Sequence, residues 1–214
     1  MRDQSANRGY EGYAVKIKDI EFKFKGSRNY IHGSDLFNAM IPVNLSIGVH
    51  NLRFSVHDFV YSPVCQIYLT DNKETLNNLP HINARCQYDM EGITHFLALT
   101  QVGNDASLAG RYKYDEEEIL SLCHMEGEGI ALIQHSPFTF IENVVAMNKH
   151  MHQQLFPDAL GKWIFTRIDL MHGCDEQESI ALQLKHNMNY RLTKTDILVN
   201  GVKVGDIFFS LVNS

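Results

Sequence analysis

The chain has 214 residues, of which 44% are hydrophobic and 21% charged, and it carries a formal net charge of −6. That balance suits a globular protein able to bury a core of its own, as one large domain or two small ones. The acidic excess and the lack of a long basic run argue against a nucleic-acid backbone or an anionic membrane as partner, and no window holds the roughly eighteen apolar residues that would mark a membrane-spanning helix.

Residues 1–12 are polar, lack the apolar stretch of a signal peptide, and are expected to be flexible, with a cytoplasmic address as the default. Alternation in AVKIKDIEFKFKG (14–26) predicts a first strand. In RNYIHGSDLFNAM (28–40) a polar turn, His32-Gly33-Ser34-Asp35, runs into an apolar helical start, which predicts a short helix over 33–41 stopped near Pro42. NLRFSVHDFVYS and VCQIYLTD read as strands, and HINARCQYDMEGITHFLALTQ as a hairpin turning at Glu91-Gly92. RYKYDEEEILSLC (111–123) is a connection whose acidic run, Asp115 to Glu118, reads as a solvated face.

GEGIALIQH (127–135) predicts another strand, and SPFTFIENVVAMNKHMHQQLF (136–156) a long helix. Phe140, Ile141, Val144, Val145, Met147, Met151 and Leu155 keep roughly helical spacing between a Ser136-Pro137 start and Pro157. KWIFTRIDL, a long alternating strand, and TDILV-NG-VKVGDIFFS complete the chain, with Asn200-Gly201 as a strong hairpin signal. The second series repeats the order of the first. Phe54 falls against Phe165, Asp58 against Asp169, Gly92 against Gly201 and Asn38 against Glu142, which points to an internal duplication with units at 13–104 and 105–214.

Cys65, Cys86, Cys123 and Cys174 form no C-x-x-C pair and read as buried thiols. Neither Cys123-His124 nor His172-x-Cys174 has the paired spacing of a closed tetrahedral site, so no metal is expected.

A strand, an apolar helix and then an antiparallel sheet around that helix is the order of the hot-dog fold. Residues 127–214, with helix, φ-x-φ-x-φ-D strand, long strand and V-N-G-V-K-V hairpin, resemble acyl-ACP dehydratases and acyl-CoA thioesterases, and residues 14–102 resemble them more weakly. The resemblance implies an α+β chain of two tandem hot-dog units, the covalent counterpart of a homodimer, and it allows a homodimer of such chains. It also implies acyl-CoA or acyl-ACP substrates, no bound cofactor, and a site near the start of each central helix, whose free N–H groups face the thioester oxygen.

By that resemblance Glu142 matches the helix acid of the dehydratases, and His32 from the other unit would complete the pair. The dehydratase pattern H-x-x-x-G-x-x-x-x-P is absent at both His32 and His135. IHGSDLFNA equally resembles the thioesterase style in which a polar loop runs into the helix, with Asp35 or Glu142 as base or nucleophile. Tyr30 and Arg28 could meet a pantetheine or its phosphate. Gly33, Asn38, His135, Ser136 and Asn143 complete the candidate substrate contacts. Each has a plainer reading: His32 as a turn residue, Asp35 and Ser34 as caps of a helix start, Asn38 and Asn143 as solvated helix positions. His150 and His152 read as surface residues near a helix end. Three functions follow: dehydration or hydration of a β-hydroxyacyl thioester, thioester hydrolysis, or binding without chemistry.

Overall fold

A computed structural model describes residues 15–41, 48–103, 110–174 and 179–213. The expected flexible segment 1–12, Pro42 and the 104/105 unit boundary lie outside these residues. The first half holds β1 (Val15–Glu21), β2 (Phe24–Lys25), α1 (Gly33–Met40), β3 (His50–Val56), β4 (Val64–Thr70), β5 (Ala84–Met90) and β6 (Ile93–Gln101). A connector with β7 (Arg111–Tyr112) and α2 (Glu116–Leu120) leads to β8 (Cys123–Glu126), β9 (Gly129–Leu132), α3 (Phe140–Leu155), β10 (Lys162–His172), β11 (Ile180–Asn187), β12 (Thr193–Val199) and β13 (Val202–Val212).

Eleven strands form one antiparallel sheet in the order β1-β4-β6-β5-β3-β10-β13-β12-β11-β9-β8. The halves meet where β3 pairs with β10, Phe54 opposite Ile168 and Leu52 opposite Leu170. Alternation sets which face is buried: Leu52 and Phe54 on β3, and Thr193, Thr195, Ile197 and Val199 on β12, all point inward. β10 changes phase midway, burying Trp163 and Phe165 and then Ile168 and Leu170. A bulge between Phe165 and Arg167 supplies the extra residue that this requires. Both hairpins turn as the sequence predicts, with positive φ at Glu91 and Gly92 and at Asn200 and Gly201, the geometry of a type I′ turn.

The two helices pack against the inner side of the sheet and against each other, α1 on α3. α3 buries ten of its sixteen residues, more than the single stripe of a surface helix, because sheet, α1 and α2 cover it from several sides. It starts at Phe140, later than the Ser136-Pro137 signal predicts. Thr139-x-x-Glu142 is a capping box, and it outcompetes the earlier Ser-Pro pair by satisfying N-terminal donors from both ends. His152, expected on the surface, is fully buried among Phe156, Trp163 and Phe209, with Nδ1 2.6 Å from the Asn148 carbonyl and Nε2 2.7 Å from the Thr193 hydroxyl. Its two ring nitrogens find partners inside, so burial carries little polar cost.

The halves are threaded differently. Outward from the seam, β3, β5, β6, β4 and β1 occupy the places of β10, β13, β12, β11 and β9. In the second half β11, β12 and β13 are neighbours in chain order. In the first half β4 is followed by a crossover containing the 3-10 turn Lys73–Asn78, after which the chain enters beside β3 as β5 and returns as β6. Gly92 and Gly201 match in sequence, yet their hairpins are entered from opposite ends.

Candidate functional site

The mouth of α1 is organised around a residue that sequence reading passes over. Lys25, at the end of β2, is completely buried. Its ammonium donates to Ser34 Oγ at 2.9 Å and Glu142 Oε1 at 2.6 Å, and lies 3.0 Å from Asp35 Oδ1. The Tyr114 ring lies 4.2 Å from the ammonium, a cation–π contact. Thus α1, which carries Ser34 and Asp35, is tied to α3, which carries Glu142, through one first-half cation. A buried charge of this kind is tolerated only when paired, and here every Lys25 N–H has an acceptor.

The connector is part of this site. β7 pairs in parallel with β2, Tyr112 beside Lys25. Arg111 donates to the carbonyls of Gly26 and Arg28 and so holds the turn after β2. Tyr112 donates to Asp35 Oδ1 at 3.0 Å. Glu116 bridges Arg28 and Lys149, the latter at 2.6 Å, so one residue of the acidic run belongs to a half-buried ion network rather than to a solvated face.

Glu142 has both oxygens engaged: Oε1 by Lys25, Oε2 by the Thr139 N–H at 3.0 Å and hydroxyl at 2.9 Å. Burial pushes its carboxyl up, but Lys25 and Thr139 outweigh that and hold it below the usual value. Asp35 goes the other way, because burial outweighs the help of Lys25 and Tyr112, and its Oδ2 is buried without a partner among the described residues. His32 Nδ1 is 2.8 Å from Ser34 Oγ. Burial, with Arg28, Lys25 and Lys149 nearby, drives its pKa well below that of a free imidazole, so it is neutral at physiological pH.

His32 borders two spaces. A cavity of about 640 Å³ is lined by Arg28, Tyr30, Lys149, Lys162 and Trp163 as well as His32, and by no carboxylate. A slot of about 50 Å³ continues between Leu36, Val56, Val145, Phe165 and Phe209, with Tyr30, Gly33 and Asp58 also on its wall. Gly33 is needed there for space, since a Cβ would lie 2.8 Å from the Phe165 ring. The result is a vestibule with Lys162 and the Glu116-paired Arg28 and Lys149 on its wall, and with His32 shared with a small and mostly apolar slot, next to the N-terminus of α1.

The other sequence candidates lie around the second helix mouth, which its own side chains fill. Ser136 donates to Asn143 Oδ1 at 2.7 Å, and Asn143 donates to the Phe138 carbonyl. Both residues are buried, so Ser136 is not the N-cap and Asn143 is not a solvated helix position. Asn38 is exposed and its amide reaches the Thr139 hydroxyl at 3.3 Å. His135 is exposed and lines neither space. Glu142 and Asp35 line neither space, and His32 reaches Glu142 only through Ser34 and Lys25. A separate cavity of about 650 Å³ lies under the 73–82 crossover, lined by Arg53, His57, Lys73 and Arg85, and contains none of the candidates. Among the described residues no three His, Cys, Asp or Glu side chains are grouped to hold a metal ion, and no helix is long and apolar enough to cross a membrane.

No family model and no curated protein matches the chain in sequence. Solved structures align with it over most of their length. A protein described as thioesterase II from Thermobifida fusca YX aligns at 10% identity and TM-score 0.48, over 96% of this chain and 94% of that one. The dehydratase domain of RzxB from Pseudomonas fluorescens aligns at 10% identity and TM-score 0.40, over 92% and 97%. A bifunctional dehydratase-cyclase domain of ambruticin biosynthesis aligns at 7% and 0.44, over 86% and 82%. At such scores the likeness decides nothing about chemistry. The chain's own strand order and enclosed helices give it a hot-dog-like fold, a large antiparallel sheet laid against a central helix.

Proposed function

We propose that the chain is a double hot-dog enzyme acting on acyl thioesters, with its single working site at the mouth of α1, and that the reaction is thioester hydrolysis. The supporting observation is the graded cavity at His32. Arg28 and Lys149, which share Glu116, and Lys162 line this space with a net positive charge and suit the phosphate-bearing arm of coenzyme A or an acyl carrier protein. The apolar slot suits a short acyl group. A thioester carbonyl at the neck would stand beside His32 and the first N–H groups of α1, donors placed for a developing oxyanion. Asp58, the carboxylate on the slot wall, would take the proton of the attacking water.

Dehydration of a β-hydroxyacyl thioester is the second reading. In its favour, His32 and Glu142 are joined through Ser34 and Lys25 by short hydrogen bonds. Against it, Glu142 lines neither space beside His32, and both its oxygens are already engaged by Lys25 and Thr139. Incubation of the purified protein with short acyl-CoA and acyl-ACP thioesters, with and without 3-hydroxy groups, separates the two. Thiol release from short chains, reduced about 10²-fold or more in His32→Ala, is expected. Enoyl product without thiol release would replace hydrolysis by dehydration, and no turnover of any member would overturn both.

A further inference from the structure

The contacts of Ser34 decide which nitrogen of His32 carries the proton. Its side chain is fully buried and has two polar neighbours among the described residues, Lys25 Nζ at 2.9 Å and His32 Nδ1 at 2.8 Å. The first bond has a fixed direction. Lys25 points its N–H groups at Ser34, Asp35 and Glu142, three acceptors, so Ser34 Oγ accepts from it. A hydroxyl has one proton to give. If Nδ1 carried a proton, Oγ would accept from both sides and its own proton would be buried without an acceptor, at a cost of about 1–3 kcal/mol. If Nδ1 is bare, the hydroxyl donates to it and all three groups are satisfied.

We propose that Lys25 and Ser34 are positioning residues that hold neutral His32 with its proton on Nε2, so that the imidazole offers an N–H, and not a lone pair, to the spaces it lines. His32 is then a hydrogen-bond donor to a substrate oxygen and not the general base. This consequence rests on the acyl-thioester reading, in which the acceptor is the thioester carbonyl. The tautomer itself does not. Burial, with Arg28, Lys25 and Lys149 nearby, keeps a second proton off the ring and leaves the Lys25–Ser34 chain to choose the site of the first.

The test is ¹⁵N spectroscopy of the ring nitrogens in the intact, substrate-free protein at neutral pH, with the His32 signals assigned by their loss in His32→Gln. A pyrrole-type Nε2 and a pyridine-type Nδ1 are expected. The reverse pattern, or an imidazolium, would overturn the proposal whether or not any thioester is turned over. In Ser34→Ala the preference should collapse into a tautomer mixture, and an unchanged Nε2–H signature there would remove Ser34 from the role. If that variant fails to fold, the wild-type spectrum alone decides. Where turnover is found, Ser34→Ala should lower kcat in proportion to the share of Nε2–H lost in its spectrum, with KM little changed, and an unchanged kcat alongside a shifted spectrum would overturn the catalytic consequence. Failure of the acyl-thioester reading shows in the turnover panel and leaves the spectrum untouched.

Discussion

The two helix mouths occupy matching places in the two halves and have opposite fates. At α3 the chain closes the helix start with its own groups: Glu142 reaches back to Thr139, and Ser136 and Asn143 bond each other. At α1 the cap position is His32, whose side chain bonds no helix N–H, and the mouth borders open space. A helix start leaves unpaired N–H groups in either case. At α3 a carboxylate of the helix reaches back to the cap residue, whereas at α1 no side chain caps the helix and only the His32 carbonyl meets the N–H groups of Asp35 and Leu36. On the proposed reading only the α1 mouth works, and Glu142, the second half's best acid by sequence, serves to cap its own helix and to anchor the first half's cation.

That contrast is most strongly broken at Lys25, which belongs to the first half and binds Glu142 of the second. Lys25→Met should leave two carboxylates without their buried counter-charge and cost about 3–5 kcal/mol in denaturant unfolding. Adding Glu142→Gln should recover part of that loss. A loss below about 1 kcal/mol in the single variant would mean that the cluster is hydrated and the halves are not joined there.

Gly33→Ala tests the packing of α1 on the second half. The added methyl meets Phe165 of β10, so about 1–3 kcal/mol should be lost, and Phe165→Leu in the same chain should return some of it. Thr139→Ala sharpens the comparison at the closed mouth, where losing the cap should cost about 1 kcal/mol with little effect on turnover. A turnover defect as large as that of His32→Ala would show that the second mouth works after all.

The smallest effect is a pH dependence. Burial lowers the pKa of both His32 and His152. The unfolded chain therefore binds these protons more readily than the folded one, so the stability they support is complete above the free histidine pKa, about 6.5, and falls as pH drops below it. Urea midpoints between neutral and mildly acidic pH should decline, and less steeply in His152→Gln. An equal slope in that variant would assign the acid sensitivity elsewhere.

Much of the chain's local structure is legible in its residues. Helical spacing gives α1 its full extent and α3 most of its length, alternation gives most of the strands, though 14–26 divides into β1 and β2, and Asn200-Gly201 and Glu91-Gly92 give both hairpins, because each signal spans only a few residues. The neighbourhood of His32 and Asp35 is equally visible as a polar turn running into an apolar helix. Lys25 is not visible. A lysine in the charged tail of an alternating strand reads as solvent-exposed, and only the return of the connector as β7 beside β2 roofs it with Tyr112 and Tyr114. Glu116 and His152 were hidden for the same reason, since their partners, Arg28, Lys149 and Thr193, lie far away in sequence.

The sequence by itself determined the two central helices, most of the sheet's strands and both hairpins, since these follow from the short-range periodicity of apolar groups, but not α2, β7 or β8 in what reads as a connection. The tertiary structure decided the reversed threading of the first-half hairpin, the burial of Lys25 between two carboxylates, and which mouth stays open. Those outcomes depend on desolvation and charge pairing between residues brought together only when the sheet closes over its helices. Lys25 and Glu142 stand far apart in the chain, and nothing in the local pattern around either shows that they meet.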